Sequence, residues 1–219
     1  MLSSRKAWKV LSAFVCAVLS ATLLSWAPAS AHGGGAEFLY IATDAYIEQR
    51  IQEVTDTNDV LLAMEFETNV NGTVAGVRIC LDLTQQEVAQ RLPLQGYLWA
   101  ADGTLLTTGG ASEGISFSAP CFYEIFFGTQ VRVTADVRYV VGFWLRGGQY
   151  SYVPHGFDSD ISNATQGHLG APSSTNSTVG AGNGLYAYTS VVGPSSPFPV
   201  ESWENSDYLI SPRFIPDAH

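Results

Sequence analysis

The sequence predicts an all-β fold: one antiparallel β-sandwich, jelly-roll-like, with an N-terminal arm and one short helix. Three observations predict it. Apolar and polar residues alternate through many short segments, which is the pattern of half-buried strands. Turn-forming pairs such as Asp102-Gly103 and Gly147-Gly148 separate these segments. Aromatic residues make up 12% of the chain, and disordered chains lack such residues, so the chain is expected to fold. We place the arm at residues 32–59 and the sandwich at residues 60–216.

The first two strands show the alternation clearly. Within Leu61–Thr68, every second side chain is strongly apolar, namely Leu62, Met64 and Phe66. The intervening positions, expected on a half-exposed face, are Ala63, Glu65 and Glu67. The next strand has an apolar face formed by Val77, Ile79, Leu81 and Leu83. Cys80 lies between these apolar positions, so we expect it on the less apolar face of that strand.

Later segments predict a hairpin and further strands. Leu94–Ala101 and Thr104–Thr108 flank Asp102-Gly103, the signal for a two-residue hairpin turn. Another strand, which ends before Gly147-Gly148, has one face formed by Tyr139, Val141, Phe143 and Leu145. We expect Gly170–Gly184, which is rich in Ser, Thr, Asn and Gly, to be a surface loop.

Two segments carry helical signals. Thr84 and Glu87 have capping-box spacing, and Val88 follows them, which predicts one short helix that Pro93 ends. In the N-terminal arm, Asp44 is a possible helix cap. The apolar residues that follow it, Ile47, Ile51 and Val54, recur at helical spacing. The arm is therefore either a helix or an irregular segment.

The N-terminus has the three parts of a secretory signal peptide. The first nine residues carry three basic side chains, Val10–Leu24 is apolar, and Ala29-Ser30-Ala31 is a small-x-small cleavage signal. The apolar run is too short for a membrane anchor. We therefore expect residues 1–31 to be removed, leaving a secreted, extracellular product that begins at His32 and does not insert into a membrane.

The charge of the chain excludes two classes of partner. The formal net charge of the full chain is −10 at pH 7. Without residues 1–31, seven basic and twenty acidic residues remain, a formal charge of −13. Such a surface repels nucleic acid and anionic lipid, so neither is expected as a partner.

The cysteines predict one disulfide. Cys16 leaves with the signal peptide, so Cys80 and Cys121 remain. Two cysteines in an exported protein are expected to pair. The alternative is two free thiols in the core, because cysteine is also a common small buried residue.

Five motifs occur in the order in which one known family has them. They are Phe66–Arg78, Leu98–Leu106, Val133–Val141, Gly148–Tyr152 and Asn183–Phe214. The series resembles domain-of-unknown-function family 4082, which occurs in bacterial exported proteins, often beside immunoglobulin-like or carbohydrate-active modules. The resemblance covers about Val60 to Phe214. It implies a β-sandwich and provides no catalytic residues.

The chain departs from that family in two places. Leu83–Leu92 has a helical pattern where the family has a Gly-rich loop, and Cys121–Glu124 is an addition before the strand at Val131. These differences affect loops and leave the implied fold unchanged.

Catalytic patterns in the chain are weak. Gly110–Gly114 places Ser112 in the Gly-x-Ser-x-Gly spacing of a nucleophile elbow. An elbow needs a strand before the serine and a helix after it. Here Ile115–Phe117 has the pattern of another strand, so we expect a protein without enzyme activity.

The sequence offers ligands for two possible metal sites, and we expect neither site to hold a metal. Asp158, Asp160 and Asn163 offer oxygen ligands for calcium, but their spacing matches no complete calcium loop. A mature N-terminal His32 would offer its amine and imidazole to copper. Its partner would be His155, His168 or His219. Gly33–Gly35 is a poor scaffold for such a site, so a copper-dependent polysaccharide oxidase is the second alternative function, and we expect no cofactor.

The function that the sequence favours is a secreted, non-catalytic binding module for a neutral glycan or cell-surface polysaccharide. The residues predicted to bind the glycan are Tyr150, Tyr152, Phe157, Trp203 and Tyr208. Other candidates nearby are His155, Tyr186 and Tyr188. Trp203 is flanked by Glu201, Glu204 and Asn205 in a loop, so it is the candidate for which exposure is most strongly indicated. The first alternative is a structural or adhesive surface domain without a small ligand, because sandwiches host many functions.

Overall fold

The computed structural model describes residues 35–40, 51–54, 56–111, 116–118, 121–162 and 167–218. The chain divides into two units, Met1–Ala31 and His32–His219, and every described residue belongs to the second. The predicted signal peptide, His32, and the arm residues Asp44 and Ile47 therefore lie outside the described residues.

The described residues form fourteen strands and one helix. The strands are β1 (Gln52–Glu53), β2 (Val60–Thr68), β3 (Gly72–Cys80), β4 (Leu94–Ala100), β5 (Leu105–Ala111), β6 (Ser116–Ser118), β7 (Phe122–Val133), β8 (Tyr139–Leu145), β9 (Ser151–Tyr152), β10 (Ile161–Ser162), β11 (Leu169–Ala171), β12 (Leu185–Tyr188), β13 (Glu201–Ser202) and β14 (Ile210–Pro216). The helix, α1, spans Gln85–Gln90. The predicted all-β sandwich with one short helix is confirmed.

Two antiparallel sheets make up the sandwich. The large sheet has the order β10-β11-β2-β8-β4-β5, and β12, with β13 beside it, joins the edge of β2. The small sheet has the order β14-β3-β7-β6, and β1 pairs separately with β9. β2 divides one edge between two partners, since Val60–Ala63 pairs with β12 and Glu67–Thr68 pairs with β11. This division places β12, which carries the partly buried Tyr186 and the exposed Tyr188, beside the first residues of β2.

The main core lies between the sheets. Its fully buried aromatic side chains include Phe66, Phe122, Phe143 and Phe214. The predicted alternation of β8 is confirmed, because Tyr139, Val141, Phe143 and Leu145 all belong to this core. Opposite them, Met64 of β2 pairs with Val141.

The other face of the large sheet carries a second core. It consists of Leu61, Ala63, Tyr97, Trp99, Val140, Trp144, Val179 and Leu185. β2 is therefore buried on both faces, and Glu65 is 0% exposed. The expectation of a half-exposed face on β2 is wrong, because the chain after β11 lies across it. The expectation that Gly170–Gly184 is a surface loop is wrong for the same reason, since its residue Asn183 is fully buried against Glu65.

The predicted helix is confirmed in detail. Thr84 is the N-cap, its side chain accepts from the Glu87 amide, and the Glu87 side chain accepts from the Thr84 amide in return. Val88 is the buried residue that holds α1 against the main core. None of the helices in the described ranges has the length and apolar composition to cross a membrane.

The arm and the first hairpin differ from expectation. Gln52 and Glu53 pair with Tyr152 and Ser151, so the described part of the predicted arm helix is a strand. The helical spacing of Ile51 and Val54 is misleading there, because both pack partly buried on the main core from an extended chain. The hairpin of β4 and β5 exists, but its connection spans residues 101–104 rather than two residues.

The predicted disulfide between Cys80 and Cys121 is confirmed, with a Cα–Cα distance of 4.8 Å. Both residues belong to the main core, and Cys80 is 1% exposed. The expected outward position of Cys80 is wrong, because the segment that holds Cys121 lies against the end of β3. The Leu81 amide donates to the Cys121 carbonyl at 3.0 Å.

Asp207 is a buried carboxyl group beside β14. It is 0% exposed, the Tyr40 hydroxyl donates to Oδ2 at 2.5 Å, and the Leu209 amide donates to Oδ1 at 2.8 Å. Burial raises the pKa of Asp207 to about 6, although both hydrogen bonds act to lower it. The folded state therefore retains a proton that the unfolded chain loses at lower pH.

As the pH rises from about 4 to about 6, we expect ionisation of Asp207 to lower the free energy of unfolding by up to about 3 kcal/mol. The variant Asp207→Asn should lack this part of the pH dependence. In this window the folded carboxyl still binds its proton, whereas the unfolded one, with an ordinary pKa of 3.8, does not. Urea unfolding of both proteins across this range measures the difference. A stability difference between the two proteins that does not change with pH would contradict the assignment.

Candidate functional site

An aromatic pocket of about 270 Å³ lies at one end of the sandwich. Its lining consists of Val54, Tyr150, Tyr186, Tyr188, Trp203 and Tyr208. Every lining residue except Val54 is aromatic. Surface depressions with so many aromatic rings are typical of binding sites, because the rings offer apolar faces and, through Tyr and Trp, polar edges.

Two pairs of neighbouring strands build most of the pocket. β1 leads into Val54, and its partner β9 is preceded by Tyr150. Tyr186 and Tyr188 occupy alternate positions of β12, so they project from the same face of that strand. Trp203 follows β13, which pairs with β12. Sheet pairing thus brings together residues that are separated by up to 154 positions in the sequence.

A tight turn presents Trp203. The Ser206 amide donates to the Trp203 carbonyl at 2.9 Å, and the two central residues, Glu204 and Asn205, have φ angles of 49° and 50°. This is the backbone of a type I′ turn, which Gly ordinarily occupies. Left-handed conformations in other residues cost about 1–3 kcal/mol each and persist only where the surroundings impose them.

The loop after β9 imposes that conformation. The His155 amide donates to the Glu204 carbonyl at 3.2 Å, and the Phe157 amide donates to the Asn205 carbonyl at 2.8 Å. The Asn205 side chain also donates to Asp158 Oδ1 at 2.8 Å. These bonds hold the turn, and therefore the indole of Trp203, at the pocket.

The pocket has exposed rims and a buried floor. Tyr188 is 53% exposed and Trp203 is 45% exposed, whereas Tyr150 is 8% and Tyr208 is 3% exposed. Tyr150 and Tyr208 form an edge-to-face pair with ring centroids 5.5 Å apart. Trp203 rests against Tyr152, with centroids 5.6 Å apart. Trp203 and Tyr188 are thus the two rings that a ligand meets first.

The predicted binding residues differ in whether they line the pocket, support it or lie in the core. Tyr150, Trp203 and Tyr208 line the pocket, and Tyr152 supports Trp203 from behind. Phe157 is 0% exposed in the main core, so its side chain is not available to a ligand. Its position between polar residues resembled that of an exposed aromatic, but the turn at Trp203 covers it.

The N-terminal arm contributes to the pocket, which the sequence did not predict. Val54 lines the pocket, and a hydrogen bond from the Tyr188 hydroxyl to Asp56 lowers the pKa of Asp56. The helical spacing of the arm predicted a different structure for Val54. No local motif marks either Val54 or Asp56 as a site residue. The two tyrosines of β12, by contrast, were among the wider candidates.

The phenol groups of the pocket keep their protons. The hydrogen bond to Asp56, followed by burial, raises the pKa of Tyr188. Burial, with the nearby charge of Asp56, raises the pKa of Tyr150 to about 12. Burial also raises the pKa of Tyr208. The hydroxyl groups are therefore hydrogen-bond donors at any physiological pH.

An acidic cleft of about 310 Å³ adjoins the aromatic pocket. Its lining consists of Glu53, Val54, Asp82, Leu83, Glu87, Gln149, Tyr150 and Ser151. A hydrogen bond with Asp82, together with the charge of Asp82, raises the pKa of Glu53. Val54 and Tyr150 line both the cleft and the pocket, so the two adjoin at these residues.

A polar depression of about 440 Å³ adjoins the aromatic pocket at Tyr188. Its lining consists of Asn58, Asp59, Tyr188, Thr189 and Ser190. The Thr189 amide donates to the Asp59 carbonyl at 3.1 Å, which joins the end of β12 to the start of β2. Tyr188 therefore stands between two depressions.

Asp158 and Asp160, two of the three residues considered for calcium and not expected to bind it, are engaged in loop contacts. Asp160 Oδ1 accepts from the Ser173 amide at 2.6 Å, and this bond lowers the pKa of Asp160. Asp158 accepts from Asn205, as described above. Asn163 lies outside the described residues. Within the part of the chain that the structure describes, no group of three or more His, Cys, Asp or Glu side chains is arranged to hold a metal ion.

The other catalytic candidates gain no support. Ser112 of the elbow spacing lies outside the described residues, and the segment after it is the strand β6 rather than a helix. His32 and His219 also lie outside them. His168 Nδ1 is 2.7 Å from Glu37 Oε1, and His155 Nδ1 is 3.7 Å from Asp158 Oδ2. Nothing in the described residues supports the copper oxidase.

Comparison with known proteins yields one family. The family model described as Domain of unknown function (DUF4082) matches residues 48–210. No curated protein matches the chain. The matched range contains every residue that lines the aromatic pocket, including Val54 of the arm.

Proposed function

We propose that this chain, which belongs to the domain-of-unknown-function family DUF4082, is an exported, non-catalytic module that binds a neutral glycan in its aromatic pocket. The aromatic pocket is the observation that carries the proposal. One face of a pyranose ring presents C–H groups and is apolar, so it stacks on an exposed aromatic ring. Trp203 and Tyr188 offer two such rings at the rim of one pocket.

The polar groups at the pocket suit the hydroxyl groups of a sugar. The hydroxyl protons of Tyr186 and Tyr188 are engaged with the carboxylates of Glu201 and Asp56, so the oxygen atoms of these two phenols accept hydrogen bonds from a sugar. The protonated phenol of Tyr150 donates one. A few polar groups within an apolar lining is the usual composition of a small-molecule site. Rigid aromatic rings lose little side-chain entropy on binding, which favours affinity from a small contact area.

Export is part of the same proposal. The N-terminal signal pattern predicts it, and the disulfide fits an oxidising compartment. The protein used to test binding is therefore the form that cells expressing the full chain release into the medium. Its first residue should be His32, and N-terminal sequencing of that material reads it directly.

Trp203→Ala and Tyr188→Ala are each expected to weaken glycan binding about fivefold, because one stacking contact contributes about 1 kcal/mol. Affinity electrophoresis in gels that contain neutral polysaccharides (hydroxyethyl cellulose, galactomannan or starch) measures the change. Both side chains are about half exposed, so the melting temperature should fall by only about 2–4 °C.

Phe126→Ala is the matched control. Phe126 is also an aromatic residue, 50% exposed, but it lies on β7 of the small sheet and does not line the pocket. This variant should migrate like the wild type in every gel. If no polysaccharide retards the wild type, or if all three variants bind equally, the glycan proposal fails and the structural or adhesive alternative replaces it.

A further inference from the structure

The three depressions adjoin in series. The acidic cleft meets the aromatic pocket at Val54 and Tyr150, and the aromatic pocket meets the polar depression at Tyr188. We infer that they form one groove that binds an internal segment of a glycan chain, with successive sugar units in the three parts. This inference rests on the proposed function, because the aromatic pocket is its central part.

The form of the depressions favours an internal segment over a single terminal sugar. A site for a chain end is closed on one side, so that the chain cannot continue. Here the aromatic pocket shares lining residues with two further depressions, and its rim residues Trp203 and Tyr188 are about half exposed. Volumes of about 310, 270 and 440 Å³ are each at the lower end of the range for ligand pockets, so one part alone holds only a small unit.

The charges of the groove define the class of glycan. Carboxylates stand at both ends, namely Glu53, Asp82 and Glu87 in the acidic cleft and Asp59 in the polar depression. No Lys, Arg or His occurs among the described residues that line the three parts. The groove thus accepts hydrogen bonds from hydroxyl or amino groups and repels carboxylates and sulfates. The expected ligands are glycan chains without acidic sugars.

Chain length provides the test. Oligosaccharides of one to six units, prepared from the polysaccharide that retards the wild type, are titrated calorimetrically against the exported protein. The affinity should rise by about tenfold or more from one to three units and then level off, because added units fill adjoining parts of the groove. The same polysaccharide, with its primary alcohols oxidised to carboxylates, should no longer retard the protein.

Two variants at the ends of the groove distinguish binding along the whole groove from binding in the aromatic pocket alone. Glu53→Ala in the acidic cleft and Ser190→Ala in the polar depression should weaken the hexasaccharide more than the single sugar. Asp217→Ala is the control, because it removes a carboxylate that pairs with Arg132 away from the groove; it should change neither affinity.

The outcomes distinguish this inference from the function on which it rests. If one unit binds as tightly as six while Trp203→Ala still weakens binding, the pocket function stands and the groove is wrong. If oxidation of the polysaccharide leaves retention unchanged, the charge argument is wrong. If no polysaccharide retards the wild type, the proposed function itself has failed.

Discussion

Asn183→Ala is expected to lower the free energy of unfolding by about 3–5 kcal/mol, because it leaves several buried backbone groups without partners. Asn183 is 0% exposed. Its Oδ1 accepts from the Glu65 and Gly184 amides, each at 2.8 Å. Its Nδ2 donates to the Glu65 carbonyl at 3.0 Å and to the Pro172 carbonyl at 2.8 Å. Alanine can replace none of these bonds.

Asn176→Ala is the matched control for this prediction. It is the same substitution in the same loop, but Asn176 is exposed and its Nδ2 donates only to the Asp160 carboxylate, at 3.1 Å to the nearer oxygen. We expect its cost to stay within about 1 kcal/mol. Urea unfolding followed by tryptophan fluorescence compares the two. Similar small losses in both variants would show that Asn183 does not hold the loop on β2.

The position of Asn183 connects this stability to the binding site. It lies just before β12, which carries Tyr186 and Tyr188. The buried Glu65 carboxylate anchors the same loop, since it accepts from the Ser177 hydroxyl at 2.7 Å and the Thr178 amide at 3.0 Å. Partial release of this loop in Asn183→Ala should therefore weaken glycan binding as well as the fold.

Removal of the disulfide, by Cys80→Ala together with Cys121→Ala, is expected to lower the free energy of unfolding by at least about 3–4 kcal/mol, the contribution of the bond itself. The two cysteines are 41 residues apart, and the bond restricts the unfolded chain over that whole loop. Both residues are also buried in the main core, so the smaller alanines leave a cavity that adds to the loss.

Chemical reduction of the wild type separates the two contributions. Reduction opens the loop but keeps both sulfur atoms in place, so the reduced protein should be more stable than the double variant and less stable than the oxidised protein. Denaturant unfolding with and without reductant measures this order. Equal stability of the oxidised and reduced wild type would contradict a role for the bond in the fold.

Local patterns were sufficient wherever one strand, turn or cap decides the structure. Apolar spacing identified β8, the Thr84–Glu87 box identified α1, and two cysteines in a predicted exported chain identified the disulfide. Trp203 follows the same rule, because its polar neighbours indicate exposure and the turn at Glu204 and Asn205 provides it. These features depend on side chains only a few residues apart, or on a count of cysteines.

Only the tertiary structure decided which residues form the site. Phe157 is buried and Tyr188 is exposed, although Phe157 has the more polar neighbours in the sequence. Val54 and Asp56 join the site through the pairing of β1 with β9, across 100 positions of sequence. Glu65 is buried because Asn183, 118 residues later, folds over it. Alternation along a strand shows which residues share a face. The rest of the chain decides which of the two faces is covered. That choice depends on contacts between residues far apart in sequence, and periodicity does not encode such contacts.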